Sequence, residues 1–371
     1  MAAEPIIEVL DFESISEIVN NHYDLGELTS AVRIYNGYIN VTNDIHILKD
    51  GQIRNYILRI YREGIQENKI CFEHALINEL VARGFVLSPH LAETKYQTTY
   101  VKVSKQSTEG RQELFIAIYQ YLPGEDKYSW DNPLCTFAEL SHAAGVLATY
   151  HNTIFEWRDI TGWKEPGVID QISHMPASWK AHTDSPGDSV FDRYLIQHIH
   201  RLNESVEMFL NTIERRIYET LPHLIIHGDF HSGNLKFQDE MVVGLFDFDW
   251  SMLDARCFDV GLALAYFCTT WEEKSDGDLM LDRVNVFLDG YQACAQEMKP
   301  LGGLSSIELQ YMPQMILAGT LYVLHWAISE YYTILPDPDE YVCYLKHGVR
   351  SIKWFKHNWK KLDEIVARRM I

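Results

Sequence analysis

Two acidic residues and one amide follow apolar stretches between residues 224 and 249. An apolar run at 224–226 comes shortly before Asp229, and Asn234 stands five residues later. A second apolar run at 241–246 ends directly before Asp247. One carboxylate can orient a hydroxyl group and accept its proton, while a second carboxylate and an amide oxygen hold Mg²⁺ against phosphate groups. These residue types therefore predict phosphoryl transfer from ATP, with ATP and Mg²⁺ as cofactors.

The spacing of these residues points to one kind of catalytic loop. His227, Asp229 and Asn234 fit the kinase pattern H-x-D-x-x-x-x-N. Asp247 stands where the D-F-G motif has its metal-binding Asp. The segment therefore predicts two loops that bring their polar groups to one site, each following a short buried strand.

A different site could use the same segment. His227, Asp229 and His231 alternate, so on an extended strand they would point to one side, as the ligands of a metallohydrolase do. Such a site needs further ligands, for which Asp247 and Asp249 are available. This alternative gives no role to Arg59, Glu73 and the predicted hinge in the N-terminal third. The phosphoryl-transfer hypothesis gives a role to each of them.

The first third of the chain has the pattern of an antiparallel sheet with one helix. Asp50-Gly51 is a strong hairpin turn signal. Helical spacing at 69–83 ends before Gly84, a typical C-terminal stop. Leu122-Pro123-Gly124 predicts a hinge. Strands are predicted at 31–36, 38–48, 52–61, 98–104 and 113–121, with Glu109-Gly110 between the last two.

After that hinge the chain has mainly helical spacing. The interruption at 156–187 is rich in Pro, Gly, Trp and Asp, and we predict it as a long ordered loop or insert. The predicted fold is α+β, with a small antiparallel-sheet N-lobe at 1–122 and a larger, mainly helical C-lobe at 123–371. The helices are predicted at 137–152, 190–220, 282–297, 307–331 and 341–371.

The composition limits the partners of the chain. Its 371 residues carry a formal net charge of -20, which argues against nucleic-acid binding because that needs a basic surface. An acidic surface instead attracts small cations such as amines. The six cysteines form no C-x-x-C pair, so we predict reduced, buried thiols and no zinc or redox motif.

Two stretches bear on the location of the protein. Residues 1–8 lack the basic residues of an export signal. The uncharged stretch at 311–329 contains Pro313, Gln314 and His325, which favours a buried core helix over a membrane span. We therefore expect a cytoplasmic protein that binds neither membranes nor nucleic acid. The sequence indicates no oligomeric state.

The segments at 227–234, 246–249 and 254–264 together resemble the aminoglycoside phosphotransferase/choline kinase family, which comprises protein-kinase-like small-molecule kinases. The resemblance implies a bilobal protein-kinase-like fold. It also implies Asp229 as the catalytic base, with Asn234 and Asp247 as Mg²⁺ ligands. Asp259 would be a structural acid that braces the catalytic loop.

The N-lobe carries the same resemblance independently. The stretch 56–61, Tyr-Ile-Leu-Arg-Ile-Tyr, is similar to the family's third strand, where Arg59 replaces the usual Lys as the cation that reaches the phosphates. Glu73 on the next helix is the predicted partner of Arg59, and Glu79 is the alternative. The nucleotide loop around 35–40 has one Gly and no G-x-G-x-x-G. The hinge resembles the adenine-binding segment, with Gln120, Tyr121 and Leu122 as nucleotide contacts.

The identity of the phosphate acceptor is left open by these motifs. The family includes kinases for homoserine, choline or ethanolamine, methylthioribose and aminoglycosides, and the layout is most similar to the homoserine-kinase-like branch. We expect the acceptor, a small hydroxylated and in some cases cationic molecule, to enter near 156–187 and the C-terminal helices. A nucleotide-binding pseudokinase or scaffold without turnover is the alternative function.

Overall fold

The computed structural model describes residues 10–35, 39–107, 110–129, 131–158, 162–272, 274–333 and 338–370. Its N-terminal lobe contains a five-stranded antiparallel sheet in the order β1-β2-β3-β5-β4. The turn between the second and third strands has positive φ at Asp50 and Gly51, as the hairpin signal predicts. The elements of this lobe are α1 (Phe12–His22), β1 (Glu27–Ile34), β2 (Val41–Lys49), β3 (Gln52–Ile60), α2 (Glu67–Ala82), β4 (Val101–Ser107) and β5 (Gly110–Gln120).

Each face of this sheet is covered by one helix. On β5, Ile116 and Ile118 point into the cluster that contains the apolar side of α1. Phe115 and Tyr119 alternate with them and point toward α2. The sequence analysis missed α1, although Asp11 caps it by accepting the N–H of Ser14 at 2.8 Å.

The C-terminal lobe is mainly helical and contains two small antiparallel pairs, β6 with β9 and β7 with β8. The strands are β6 (His223–Ile226), β7 (Leu235–Gln238), β8 (Met241–Leu245) and β9 (Met252–Ala255). The helices are α3 (Phe137–Ile154), α4 (Val168–Thr183), α5 (Val190–Thr212), α6 (Arg215–Tyr218), α7 (Arg256–Cys268), α8 (Leu281–Ala295), α9 (Ser306–Gln310), α10 (Met312–Thr333) and α11 (Pro338–Ala367).

The helix α10 forms the centre of this lobe. It packs closely against α7, because a Cβ at Gly261 would lie 2.5 Å from Met315 and one at Gly319 would lie 2.7 Å from Leu262. The prediction of a buried core helix at 311–329 is confirmed. Among the described residues, no helix is long and apolar enough to cross a membrane.

Three other predictions need correction. The segment 156–187 is not a loop throughout, since it contains α4, whose Trp179 is fully buried and donates to His325 at 3.0 Å. The predicted helix at 190–220 is two helices, α5 and α6. Three of the cysteines are buried as predicted, but Cys343 is exposed.

Backbone hydrogen bonds fix the hinge to the C-terminal lobe. Glu125 and Phe237 exchange two bonds of 2.8 and 3.0 Å, and the N–H of Leu245 donates to the carbonyl of Leu87 at 2.8 Å. Gly124 has a φ of +99°, and a Cβ there would lie 2.6 Å from a valine side chain of β8. The hinge is therefore tied to the C-terminal lobe at Glu125 and closely packed at Gly124. The predicted division of the chain at residue 122 stays a prediction.

Candidate active site

The loop after β6 is held by one buried acid. Asp259, in the first turn of α7, accepts the backbone N–H of His227 at 2.9 Å and that of Gly228 at 3.0 Å. His151 lies 2.9 Å from the same carboxylate. A Cβ at Gly228 would lie 2.3 Å from a carbonyl oxygen, and its φ is +75°, so only glycine fits there. Asp259 thus occupies the bracing position that the resemblance implies.

Asp229 lies at the centre of a cluster of donors. The Tyr266 hydroxyl donates to its Oδ1 at 2.9 Å, and the Asn234 amide donates to its Oδ2 at 2.9 Å. His231 Nε2 lies 3.4 Å from Oδ2. Burial acts to raise the pKa of Asp229, but the neighbouring histidines and Tyr266 outweigh it and hold the pKa below its ordinary value. Asp229 is therefore ionised at neutral pH, in the form that can accept a proton.

Asn234 and Asp247 are brought together by the backbone. The N–H of Phe246 donates to the carbonyl of Asn234 at 3.1 Å and so joins the second loop to the first. Because the Asn234 Nδ2 is directed at Asp229, its Oδ1 is left for a cation. Asp247, at a φ of 67°, adds a carboxylate that is 31% exposed. An amide oxygen and a carboxylate are oxygen ligands that suit Mg²⁺, so these residues fit the predicted ion.

Arg59 on β3 connects Asp247 to α2. Its guanidinium nitrogens lie 3.0 Å from Asp247 Oδ1 and 3.2 Å from Glu73 Oε1. The carbon of the guanidinium lies 5.4 Å from the centre of the Tyr119 ring. Burial acts to lower the pKa of Arg59, but Asp247, Tyr119 and Glu73 raise it well above its ordinary value. Arg59 therefore remains charged and is positioned at the metal side of the site.

Glu73 is part of a buried polar cluster beneath the sheet. The Tyr61 hydroxyl donates to its Oε2 at 2.9 Å, and the Tyr119 hydroxyl donates to its Oε1 at 3.2 Å. His74 Nε2 lies 2.9 Å from the Tyr61 oxygen. Burial raises the pKa of Glu73, and the charge of Arg59 acts against this rise. The cluster fixes the carboxylate, and through it Arg59.

Replacing Glu73 by Gln is expected to raise the KM for ATP about tenfold, because a charge-assisted hydrogen bond is worth about 1.5–3 kcal/mol. Glu79→Gln is the matched control. Glu79 lies on the same helix but pairs with Arg83 at 2.6 Å on the surface, where such a pair contributes little. Steady-state kinetics at varied ATP concentration measure both. Equal effects of the two changes would contradict the pairing of Arg59 with Glu73.

Asp249 has a more defined position than the sequence indicated. Asn40 donates to its Oδ2 at 3.2 Å and accepts the N–H of Arg62 at 3.0 Å. Burial and the nearby charge of Asp247 raise the pKa of Asp249 to about 7. Asp249 thus joins the metal-side loop to the start of β2. The predicted nucleotide loop at 35–40 lies partly outside the described residues, since 36–38 are not described.

One cavity of about 780 Å³ is lined by Asp249 and by the site residues predicted from the sequence, while the bracing Asp259 lies outside its lining. Arg59, Glu73 and the hinge residues Gln120, Tyr121 and Leu122 line one half of it, which we call the nucleotide half because the sequence predicts nucleotide contacts there. The Gln120 N–H donates to the His90 carbonyl at 2.8 Å. Asp229, Asn234 and Asp247 line the middle of the same cavity. The structure therefore brings every site residue predicted from the sequence to one space.

The remaining wall was not found from the sequence. It comes from the end of α7 and from α10 and α11, so the C-terminal helices lie where the acceptor is expected, whereas none of the described residues at 156–187 lines the cavity. The entry route of the acceptor stays a prediction. These wall residues lie far apart in the chain and form no motif. Only their helical spacing on α11 could have indicated a shared face. The aromatic and ionisable members are Tyr266, Trp271, Tyr322, Trp326, Glu340, Tyr344 and His347, and the hydroxyl-bearing members are Thr269, Thr320 and Ser351.

The histidines of the loop are engaged with their neighbours. His227 accepts the N–H of Asp229 at its Nδ1 and lies 3.2 Å from the Phe246 carbonyl at its Nε2. His231 accepts the N–H of Gly233 at its Nδ1. Both rings thus shape the loop, which agrees poorly with a role as ligands of a metallohydrolase.

Comparison with known proteins identifies the family to which the chain belongs. The model of the phosphotransferase enzyme family, APH, matches residues 39–295, which is more than half of the chain. The chain belongs to this family. As an APH phosphotransferase it is a small-molecule kinase, and the resemblance described above is confirmed.

Other APH-family kinases are similar along almost the whole chain. Homoserine kinase from Methylobacillus flagellatus is 25% identical and covers 93% of this chain and 96% of its own. The structure of a microcompartment-associated aminopropanol kinase matches with a TM-score of 0.68 at 15% identity and covers 95% of this chain and 98% of its own. Choline kinase from Cryptosporidium parvum matches with a TM-score of 0.58 at 13% identity, covering 97% and 98%. These structures confirm the bilobal kinase-like α+β fold.

Proposed function

We propose that this APH-family kinase transfers the γ-phosphate of ATP to a hydroxyl group of a small molecule, with Mg²⁺ required. The observation that supports this most directly is a single cavity in which Asp229, Asn234 and Asp247 face Arg59 and the hinge. Residues 1–122 would bind the nucleotide, and residues 123–371 would provide the catalytic loop and the acceptor site.

In the proposed mechanism, Asp229 orients the acceptor hydroxyl and takes its proton. The new bond between the acceptor oxygen and the γ-phosphorus forms as the bond to the ADP oxygen breaks. Tyr266 keeps the Asp229 carboxylate in place through its 2.9 Å hydrogen bond. Asn234 and Asp247 would hold Mg²⁺, which would supply positive charge for the phosphates. Arg59 provides a second positive charge for the departing diphosphate.

The acceptors of the relatives suggest the first compounds to test. Homoserine, aminopropanol and choline are named for proteins similar to this chain, and each carries a hydroxyl group and a nitrogen. The substrate class we propose is therefore small hydroxylated amines and amino acids, with aminoglycosides and sugars as further members of the panel.

The test is ADP release from ATP in the presence of each member of this panel. We expect acceptor-dependent release that stops when EDTA removes Mg²⁺ and returns when Mg²⁺ is added, and that Asp229→Ala lacks. Nucleotide binding without ADP release in the presence of any member of the panel would favour a scaffold or pseudokinase. Hydrolysis of phosphoesters without ATP would favour a metallohydrolase.

A further inference from the structure

The acceptor half of the cavity has an unusual charge pattern. Among the described residues that line the whole cavity, Arg59 and Lys236 are the only lysine or arginine side chains. Arg59 is paired with Glu73 and Asp247, and Lys236 lies 2.6 Å from Asp126 and 5.5 Å from the ring of Tyr121 in the hinge. Both therefore belong to the nucleotide half.

The wall beyond Asp229 offers π faces, hydroxyl and indole N–H groups, and one carboxylate instead. Its aromatic side chains are those of Tyr266, Trp271, Tyr322, Trp326 and Tyr344, and Glu340 adds a carboxylate. None of the described residues of this wall is a lysine or an arginine.

His347 on α11 is held in a defined orientation within this wall. Its ring stacks on that of Trp271 with centres 3.6 Å apart and planes at 2°. Its Nδ1 lies 2.6 Å from Asp276 Oδ1. Burial acts to raise the pKa of Asp276, but the bonds from His347 and Arg350 hold it below its ordinary value, so Asp276 is a carboxylate.

This contact decides which ring nitrogen carries the hydrogen. A carboxylate can only accept, so Nδ1 of His347 must donate. Burial is the largest influence on the imidazole and lowers the pKa of His347, which favours the neutral ring. In a neutral ring with hydrogen on Nδ1, Nε2 is an acceptor. His347, which lines the cavity, therefore has an acceptor at its Nε2.

Among the described lining residues, π faces and a carboxylate without a lysine or arginine suit an ammonium group better than they suit a carboxylate. A cation is stabilised over aromatic rings and near a carboxylate. A carboxylate placed in the same space would lose its hydration and find no cation there, and such an unpaired charge is costly to bury. The wall thus discriminates between an amino alcohol and an amino acid that share the same hydroxyl and amine.

Building on the proposed kinase function, we propose that the acceptor is an amino alcohol that carries an ammonium group and no carboxylate. His347, oriented by Asp276 and Trp271, is the specificity-determining residue that accepts a hydrogen bond from that ammonium group.

The experiment compares three acceptors that differ by one group each. The aminopropanol used is 3-aminopropan-1-ol, which is homoserine without its carboxylate. The propanediol is propane-1,3-diol, in which a second hydroxyl replaces the amine. We expect kcat/KM for aminopropanol to exceed that for each of the other two at least about tenfold, since an unpaired charged or polar group costs that much or more. Equal or better use of homoserine or propanediol would overturn the inference and leave the kinase function standing.

Two variants on the same helix test the role of His347. His347→Arg adds a cation to the wall, so kcat/KM for aminopropanol should fall at least about tenfold while that for homoserine rises. His357→Arg is the matched control, because His357 lies ten residues further along α11, is exposed and does not line the cavity. An unchanged preference in His347→Arg, or the same change in both variants, would contradict the assignment. Circular dichroism shows whether each variant is folded.

A binding measurement separates this inference from the proposed function. Propylamine has the ammonium group but no hydroxyl, so it can bind without accepting phosphate. We expect calorimetry to detect its binding to the wild-type protein and not to His347→Arg. If propylamine binds but no acceptor causes ADP release from ATP, the proposed kinase function is contradicted and the ammonium site is supported. If ADP is released but propylamine does not bind, the ammonium site is contradicted and the kinase function is supported.

Discussion

Replacing Asp229 by Asn is expected to lower kcat about 10²–10⁴-fold while the dissociation constant for ATP changes little. Asn keeps the size of the side chain and can still accept the bond from Tyr266, so the loop should stay in place. It cannot take a proton from a hydroxyl group at neutral pH. The loss should therefore appear in the chemical step, measured as acceptor-dependent ADP release at saturating ATP and acceptor.

The matched control for this change is Asp239→Asn. Asp239 is exposed in the turn between β7 and β8, and its φ of 53° is one that Asn tolerates well. It loses one charge in the same lobe without touching the cavity, so we expect its kcat to equal that of the wild type. A kcat for Asp229→Asn within threefold of the control value would contradict the role of Asp229 as the base.

Replacing Asp259 by Asn is expected to give the largest loss of stability. Asp259 is fully buried and accepts two backbone N–H groups of the catalytic loop, and His151 is directed at the same carboxylate. An amide would put a donor in place of one acceptor and leave at least one N–H unpaired. Each such group costs about 1–3 kcal/mol. The midpoint of urea unfolding should fall accordingly.

Asp289→Asn is the control for this stability measurement. Asp289 is 67% exposed on α8 and pairs with Arg369 at 2.6 Å, an arrangement that solvent screens. Its unfolding midpoint should stay close to that of the wild type. If Asp259→Asn unfolded at the same denaturant concentration as this control, the bracing role of Asp259 would be wrong.

The central part of the site could be predicted because its geometry is local. The spacing from His227 to Asn234 fits a single loop, and the apolar runs before Asp229 and Asp247 are visible in the sequence. The choice between Glu73 and Glu79 was different. Both lie on α2, and only the rotation of that helix against β3 turns Glu73 inward and leaves Glu79 at the surface with Arg83.

The acceptor wall and the helices α1 and α4 could not be predicted from local sequence patterns. The wall combines Tyr266, Tyr322 and His347 from three helices, and the packing of α10 against its neighbours decides their proximity. The helix α4 was missed because Pro176 lies inside it, a residue that normally ends a helical pattern. In α1 only three residues, Ile15, Ile18 and Val19, form the buried face.

The tight joint at the hinge has a consequence for the exit of products. The two bonds between Glu125 and Phe237 and the bond from Leu245 to Leu87 keep the floor of the nucleotide half attached to the catalytic lobe. ADP release by a wide separation of the lobes would require these bonds to break. We therefore expect ADP to leave when the ion pair between Arg59 on the central strand β3 and Asp247 opens, a small local motion. The speed of turnover would then be set by one ion pair, and not by the stiffness of the whole molecule.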